Sequence, residues 1–147
     1  MARAVLALGS NLGDREGYLT FAVSALSALP QTTVLKESNR RETQPVGVPE
    51  AFSGMLFLNA ALLIETILSP EQLLEAALAI EAEAGRVRTV RNGPRPLDID
   101  LILYEGVTCS SERLTLPHPR AHMRAFVLEP LQDLGFTVNH ILENRFP

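Results

Sequence analysis

The chain has 147 residues, 46% of them apolar and 20% charged, which is the length and composition of one globular domain, 1–147, with a sizeable core. Its formal net charge of −4 argues against a general nucleic-acid binder, and its single lysine, Lys36, leaves no lysine-bearing phosphate loop, so a phosphate site here must use arginine, histidine or backbone N–H groups. One cysteine (Cys109), no charged-then-apolar leader, and a longest apolar run, Met55 to Ile64, that is interrupted by Asn59 lead us to expect a soluble cytoplasmic protein without disulfides or membrane spans.

Ala2 to Leu8 is a near-continuous apolar run that predicts a buried central strand. Gly9-Ser10-Asn11-Leu12-Gly13-Asp14 then reads as a small-residue loop, either a plain turn or one that aims backbone N–H groups at an anion or flat ligand. Asp14 is the expected N-cap of a helix whose apolar face is Leu19, Ala22, Val23, Leu26 and Leu29, ended by Pro30. Thr32 to Glu42 predicts one strand near the sheet edge. Thr43 to about Gly54 is rich in Pro and Gly, a long loop that is either an ordinary surface excursion or functional.

Phe57 to Thr66 predicts a strand with Leu58, Ala60, Leu62 and Ile64 on one face and Phe57, Asn59, Ala61, Leu63 and Glu65 on the other. Asn59 is an amide in an apolar strand. It is either a buried side chain bonded to nearby backbone or a reader of a polar heterocycle, since Asn both donates and accepts. Ser69-Pro70-Glu71-Gln72 is a capping-box helix start, and the stripe Leu73, Ala77, Ile80, Ala84 carries the helix to a stop at Gly85. Glu81 falls in the last turn, where the helix dipole disfavours an acid.

The densest chemistry lies in Gly85 to Tyr104, GRVRTVRNGPRPLDIDLILY. Asp98 and Asp100, at i and i+2 of a strand, point to one face together with Ile102 and Tyr104, while Leu97, Ile99, Leu101 and Leu103 take the other. Either acid alone is most simply a solvated strand residue. Two acids on a half-covered face repel unless a cation lies between them, and Mg²⁺ takes such oxygen ligands. Arg86, Arg88, Arg91 and Arg95 precede them, and a guanidinium fork matches phosphate oxygens. The combination points to a metal–polyphosphate site. Beyond it come a possible strand at Leu114 to Leu116, the turn Pro117-His118-Pro119, and Phe126 to Leu134, which fits a helix or a strand. Val138 to Pro147 supports one or two helical turns. The order βαββαβ defines an α+β, ferredoxin-like sandwich: an antiparallel sheet with both helices on one face.

The segments Leu8-Gly9-Ser10-Asn11-Leu12, Phe57-Leu58-Asn59-Ala60-Ala61, Gly85-Arg86-Val87-Arg88, Gly93 to Asp100 and Leu116-Pro117-His118 resemble, in order, the 6-hydroxymethyl-7,8-dihydropterin pyrophosphokinase family of folate biosynthesis. The resemblance implies transfer of pyrophosphate from ATP to the pterin hydroxymethyl group, with release of AMP. It implies that Asp98 and Asp100 hold two Mg²⁺ ions and act in catalysis with Arg86 and Arg95. It makes Glu81, Arg86, Arg88, Arg95, Arg113, Thr115, His118 and Arg124 the ATP contacts, and Thr43, Pro45, Val46, Phe57, Asn59 and Phe126 the pterin pocket. It also implies three mobile loops that close over bound substrates. We further expect a monomer without nucleic-acid or membrane partners. Asn92, Pro119 and Leu78 depart from residues found in some members. The competing reading is a non-catalytic ferredoxin-like domain that binds a nucleotide or pterin as a regulatory ligand.

Overall fold

A computed structural model describes residues 1–44, 54–85 and 96–147. The chain forms β1 (Ala2–Ser10), α1 (Arg15–Ser27), β2 (Thr32–Glu37), β3 (Arg41–Thr43), β4 (Phe57–Thr66), α2 (Pro70–Glu83) and β5 (Asp98–Tyr104). There follow β6 (Cys109–Ser110), β7 (Thr115–Leu116), a 3-10 turn (Ala121–Met123), α3 (Ala125–Asp133) and α4 (Val138–Leu142).

The main sheet has the order β2-β4-β1-β5, with β3 also paired to β4, and every pairing is antiparallel. This is the expected ferredoxin-like order. The predicted strand Thr32 to Glu42 is two pieces on the same partner, separated at residues 38–40. Ser38 causes the break: its N–H bonds to Ala61 O while its Oγ accepts from Ala61 N, so a side chain completes the ladder. The edge strand β2 carries a register irregularity between Val34 and Lys36, and a bulge with a lysine is a usual guard against edge pairing.

Local chemistry explains the helices. Asp14 accepts from Gly17 N at 3.0 Å, and Ser69 and Gln72 close a reciprocal capping box at 3.2 and 2.9 Å. Gly85 ends α2 with φ +84°, a conformation that costs glycine little. The helices α1 and α2 cover one sheet face, burying Leu6, Leu8, Leu19, Leu26, Leu62 and Leu73 among others.

The other face is also covered by helices. Residues 125–142 form α3 and α4, which close a second core over Val5, Ala61, Leu63, Ile102 and Leu103, with Leu131, Phe136 and Ile141 nearly fully buried. A nine-residue helix such as α3 is unstable alone, so this packing is what holds it.

The sheet also corrects two strand assignments. β1 continues through Ser10, so Gly9 lies in the strand and not in the loop after it. In β5 the alternation of faces breaks. Val5 pairs with Leu103 but Leu6 pairs with Leu101, so Ile102 is the extra residue of a bulge. As a result Leu103 joins the second core and Tyr104 the first, the reverse of the regular pattern. Leu97, Ile99 and Leu101 keep the predicted side, and Ile102 covers the acidic face as expected.

Candidate active site

Strand register assembles the site. Gly9 is the Cα partner of Asn59 on one side and of Asp98 on the other, and Arg41 is in turn the partner of Asn59. Arg41, Asn59, Gly9 and Asp98 therefore form one row across four strands. Directly paired residues share a face, here the one covered by α3 and α4. Two strand spacings put Asn59 about 10 Å from Asp98. Asp100, opposite Ala7, lies one step along on the same face. Both carboxylate residues are half-buried.

Small residues on β1 keep this face open. A Cβ on Gly9 would sit 3.1 Å from Asn59 Oδ1 and 3.4 Å from the Phe57 ring. Asn59 is buried, and its Nδ2 donates to Thr43 Oγ1 in a short hydrogen bond. Its partner is thus a side chain of β3, not the neighbouring backbone. Thr43 is itself the strand partner of Phe57. Thr43, Phe57 and Asn59 form a wall, and opposite Thr43 a cleft of about 260 Å³ opens toward Arg124, Phe126 and Glu129. The Arg124 guanidinium lies over the Phe126 ring, 5.6 Å from its centroid. A larger cleft, about 450 Å³, lies at the start of α1 and the end of α2; it contains none of the predicted site residues.

His118 reaches the acidic strand from a different part of the chain. Its N–H bonds to Ile102 O at 2.9 Å, and its Nδ1 accepts from Arg120 N at 3.2 Å. Burial lowers the imidazole pKa first, then Arg124 and Arg120, while Asp98 pulls the other way. A neutral ring whose Nδ1 accepts keeps its proton on Nε2, a donor suited to a phosphate oxygen.

Glu81 is not a solvated acid at a helix end. It is 3% exposed, and its Oε2 accepts from Ile99 N at 2.7 Å, on the side of β5 away from β1. The residue that the helix dipole disfavours is therefore held by the strand carrying the two aspartates. Arg113 and Thr115 lie farther out, on and beside the β6–β7 ribbon. Arg113 is exposed and ion-paired to Glu75 of α2, which raises its pKa; a nucleotide would have to exchange that partner. Pro45, Val46, Arg86, Arg88, Arg91, Asn92 and Arg95 lie outside the described residues, as does most of the loop predicted from Thr43 to Gly54.

The donor set fits a hard cation. Asp98 and Asp100 offer oxygen ligands on a face that Ala7 and Gly9 leave uncrowded. Among the described residues no group of three or more His, Cys, Asp or Glu side chains converges on a metal position. A carboxylate pair suits Mg²⁺, which completes its shell with water and substrate phosphates. Sequence reasoning missed Gly9 and Arg41 as members of this row. The signal for Gly9 was a glycine two residues after Ala7 on a strand that must pack beside both acids. Arg41 gave no signal, because its place depends on pairing with β4.

Residues 5–135 match the family model for 7,8-dihydro-6-hydroxymethylpterin-pyrophosphokinase (HPPK). The chain is 48% identical to a 2-amino-4-hydroxy-6-hydroxymethyldihydropteridine pyrophosphokinase of Methylorubrum extorquens, over 92% of this chain and 84% of that one. It is 47% identical to the protein of the same name from Bacillus subtilis, over 89% and 77%. The crystal structure of Plasmodium falciparum HPPK-DHPS superposes with a TM-score of 0.65 at 14% identity, over 91% of this chain and 40% of that one, a likeness of fold. With the matched family model spanning nearly the whole sheet-and-helix framework, the chain belongs to the 7,8-dihydro-6-hydroxymethylpterin-pyrophosphokinase family.

Proposed function

We infer that the row Asn59–Gly9–Asp98 is where this ATP-dependent pyrophosphokinase of folate biosynthesis joins its two substrates. The enzyme transfers pyrophosphate from ATP to the hydroxymethyl group of 6-hydroxymethyl-7,8-dihydropterin. The pterin hydroxyl oxygen attacks the β-phosphorus, the bond to the α–β bridging oxygen breaks, AMP departs, and the hydroxyl proton is lost. A single domain, 1–147, carries both sites, and no second subunit is required.

Each wall has a separate task. Thr43, Phe57, Asn59 and Phe126, with Pro45 and Val46, hold the pterin: the amide reads its polar edge and the rings take its faces. Asp98 and Asp100 would hold two Mg²⁺ ions, which supply charge neutralisation to the phosphates. Arg86, Arg88, Arg95, Arg113 and Arg124 bind phosphate or nucleotide oxygens, with Glu81, Thr115 and the Nε2–H of His118 as further nucleotide contacts. Phosphoryl transfer through a loose transition state needs positioning and charge stabilisation more than a strong base. The observation that supports the reading is the shared row, in which the Asn59 amide and the Asp98 carboxylate stand about 10 Å apart, with Asp100 one step along the same sheet face.

The test is AMP release. Purified protein with ATP and Mg²⁺ should form AMP only when the pterin is added, and chelation should stop it. Pterin-independent AMP, or none with both substrates present, would refute the reading. Retention of the acidic pair's contribution with Mg²⁺ absent would refute the metal assignment alone. Among the described residues no helix is long and apolar enough to cross a membrane.

A further inference from the structure

We propose that Arg41 is a positioning residue for the pterin, acting through α3 on the Phe126 ring. The inference rests on the reading that the pterin lies between Phe126 and the Thr43–Asn59 wall. Those walls come from distant parts of the chain. β3 and β4 supply one, and α3 supplies the other. Their separation decides whether a flat heterocycle fits between them.

The helix geometry shows what sets that separation. Phe126, Glu129 and Asp133 stand at i, i+3 and i+7, so they share one face of α3. Phe126 and Glu129 line the cleft with Thr43. Asp133, two turns further on, is the last residue of the helix. Arg41 meets this face. Its Nη2 is 2.6 Å from Asp133 Oδ1, and its Nη1 is 3.9 Å from Glu129 Oε2. The backbone N–H of Asn39 donates to Asp133 Oδ2 at 3.2 Å, so both carboxylate oxygens are held from the β2–β3 region. The far end of the helix is pinned where Arg41 stands, and the near end carries the ring opposite Thr43.

Two features set this contact apart from an ordinary surface ion pair. First, an acid at a helix C-terminus is disfavoured by the dipole, and α3 has no basic residue in its last turn, so Asp133 depends on Arg41 for compensation. Second, Arg41 Nε is buried without a hydrogen-bond partner, a cost that a purely solvated arginine would avoid. Arg41 is also the strand partner of Asn59. One residue therefore belongs to the wall that reads the pterin and grips the helix that stacks on it.

Steady-state kinetics of Arg41→Met, Asp133→Asn and the double variant, with 6-hydroxymethyl-7,8-dihydropterin and Mg-ATP varied separately, test this. The pterin KM should rise about tenfold in each single variant, within the range for residues in contact. The ATP KM should stay within about twofold, and the double variant should be no worse than the worse single one. Arg41→Lys should recover part of the loss, because it keeps the charge but not the fork. If Arg41→Met does not fold, Asp133→Asn alone decides, since it keeps the side-chain shape. Unchanged pterin KM in the single variants, equal rises for both substrates, or losses that multiply would overturn the proposal. Asn59→Ala, measured in parallel, separates the two levels. A raised pterin KM there with a normal one in Arg41→Met overturns the clamp alone. No response in either variant overturns the pterin placement and the clamp with it.

Discussion

Asn59 and Asp98 are both strand partners of Gly9, one on each side, so an amide and a carboxylate look across a residue that has no side chain. The relationship joins two chemistries separated by 39 positions in sequence. It also supplies distinct tests for each half of the site.

The aspartates come first. Asp98→Ala and Asp100→Ala should each lower AMP formation by on the order of 10²–10³, the loss commonly seen when one electrostatic partner of a transition state is removed. Each variant should still fold, since both carboxylates are only half-buried and lie outside the two apolar cores. Turnover against Mg²⁺ concentration, with a thermal melt of each variant, checks both. Near-normal turnover in either variant would sink the metal assignment.

Asn59→Ala should weaken pterin binding far more than ATP binding. The change leaves Thr43 Oγ1 without its short bond and removes the amide from a buried position. Loss of such a buried polar partner costs about 1–3 kcal/mol. Separate binding titrations of the two substrates report the ratio, and equal losses in a folded variant would contradict the assignment.

Gly9→Ala probes the space between the two halves. The added methyl carbon would meet Asn59 Oδ1 at 3.1 Å and the Phe57 ring at 3.4 Å. Asn59 must give by a few tenths of an ångström, while the Phe57 ring comes into ordinary van der Waals contact. The pterin KM should rise several-fold while the melting temperature moves little, because Gly9 lies in a regular strand and needs no positive φ. An unchanged pterin KM would show that this spacing does not matter to substrate binding.

A fourth prediction concerns acid stability, away from the site. Arg3 Nη2 lies 2.7 Å from Glu105 Oε2, its backbone N–H donates to Oε1 at 3.0 Å, and its Nη1 donates to Pro147 O at 3.3 Å. The Phe146 ring packs under the same guanidinium. Hydrogen bonds from Arg3 hold the Glu105 carboxyl below the usual carboxylate range, against a smaller effect of burial. A depressed folded-state pKa gives stability that is fully present above the unfolded value of about 4.3 and is lost as pH falls through the folded value. Glu105→Gln should therefore melt below the parent at pH 6, and the gap should close as pH drops toward 3. A gap that is the same at both ends of that range would exclude the linkage.

Much of this protein was legible in its sequence because the controlling physics is local. Side-chain alternation set the two faces of β4, capping chemistry at Asp14 and Ser69 started both large helices, and the i, i+2 spacing put Asp98 and Asp100 on one side. The arginine-rich segment and its family resemblance are likewise properties of contiguous residues. Tertiary structure decided the rest. The bulge at Ile102 exchanged the sides of Leu103 and Tyr104, because it depends on how β5 pairs with β1 and not on β5 alone. The undecided stretch around Pro130 became a helix because Val127 and Leu131 find a second apolar sheet face to bury against. Glu81, at a helix end where the dipole disfavours an acid, found its partner in the backbone of Ile99, 18 residues away. Gly9 and Arg41 joined the site only through strand register, which no single segment encodes, since it is the outcome of pairing several strands at once.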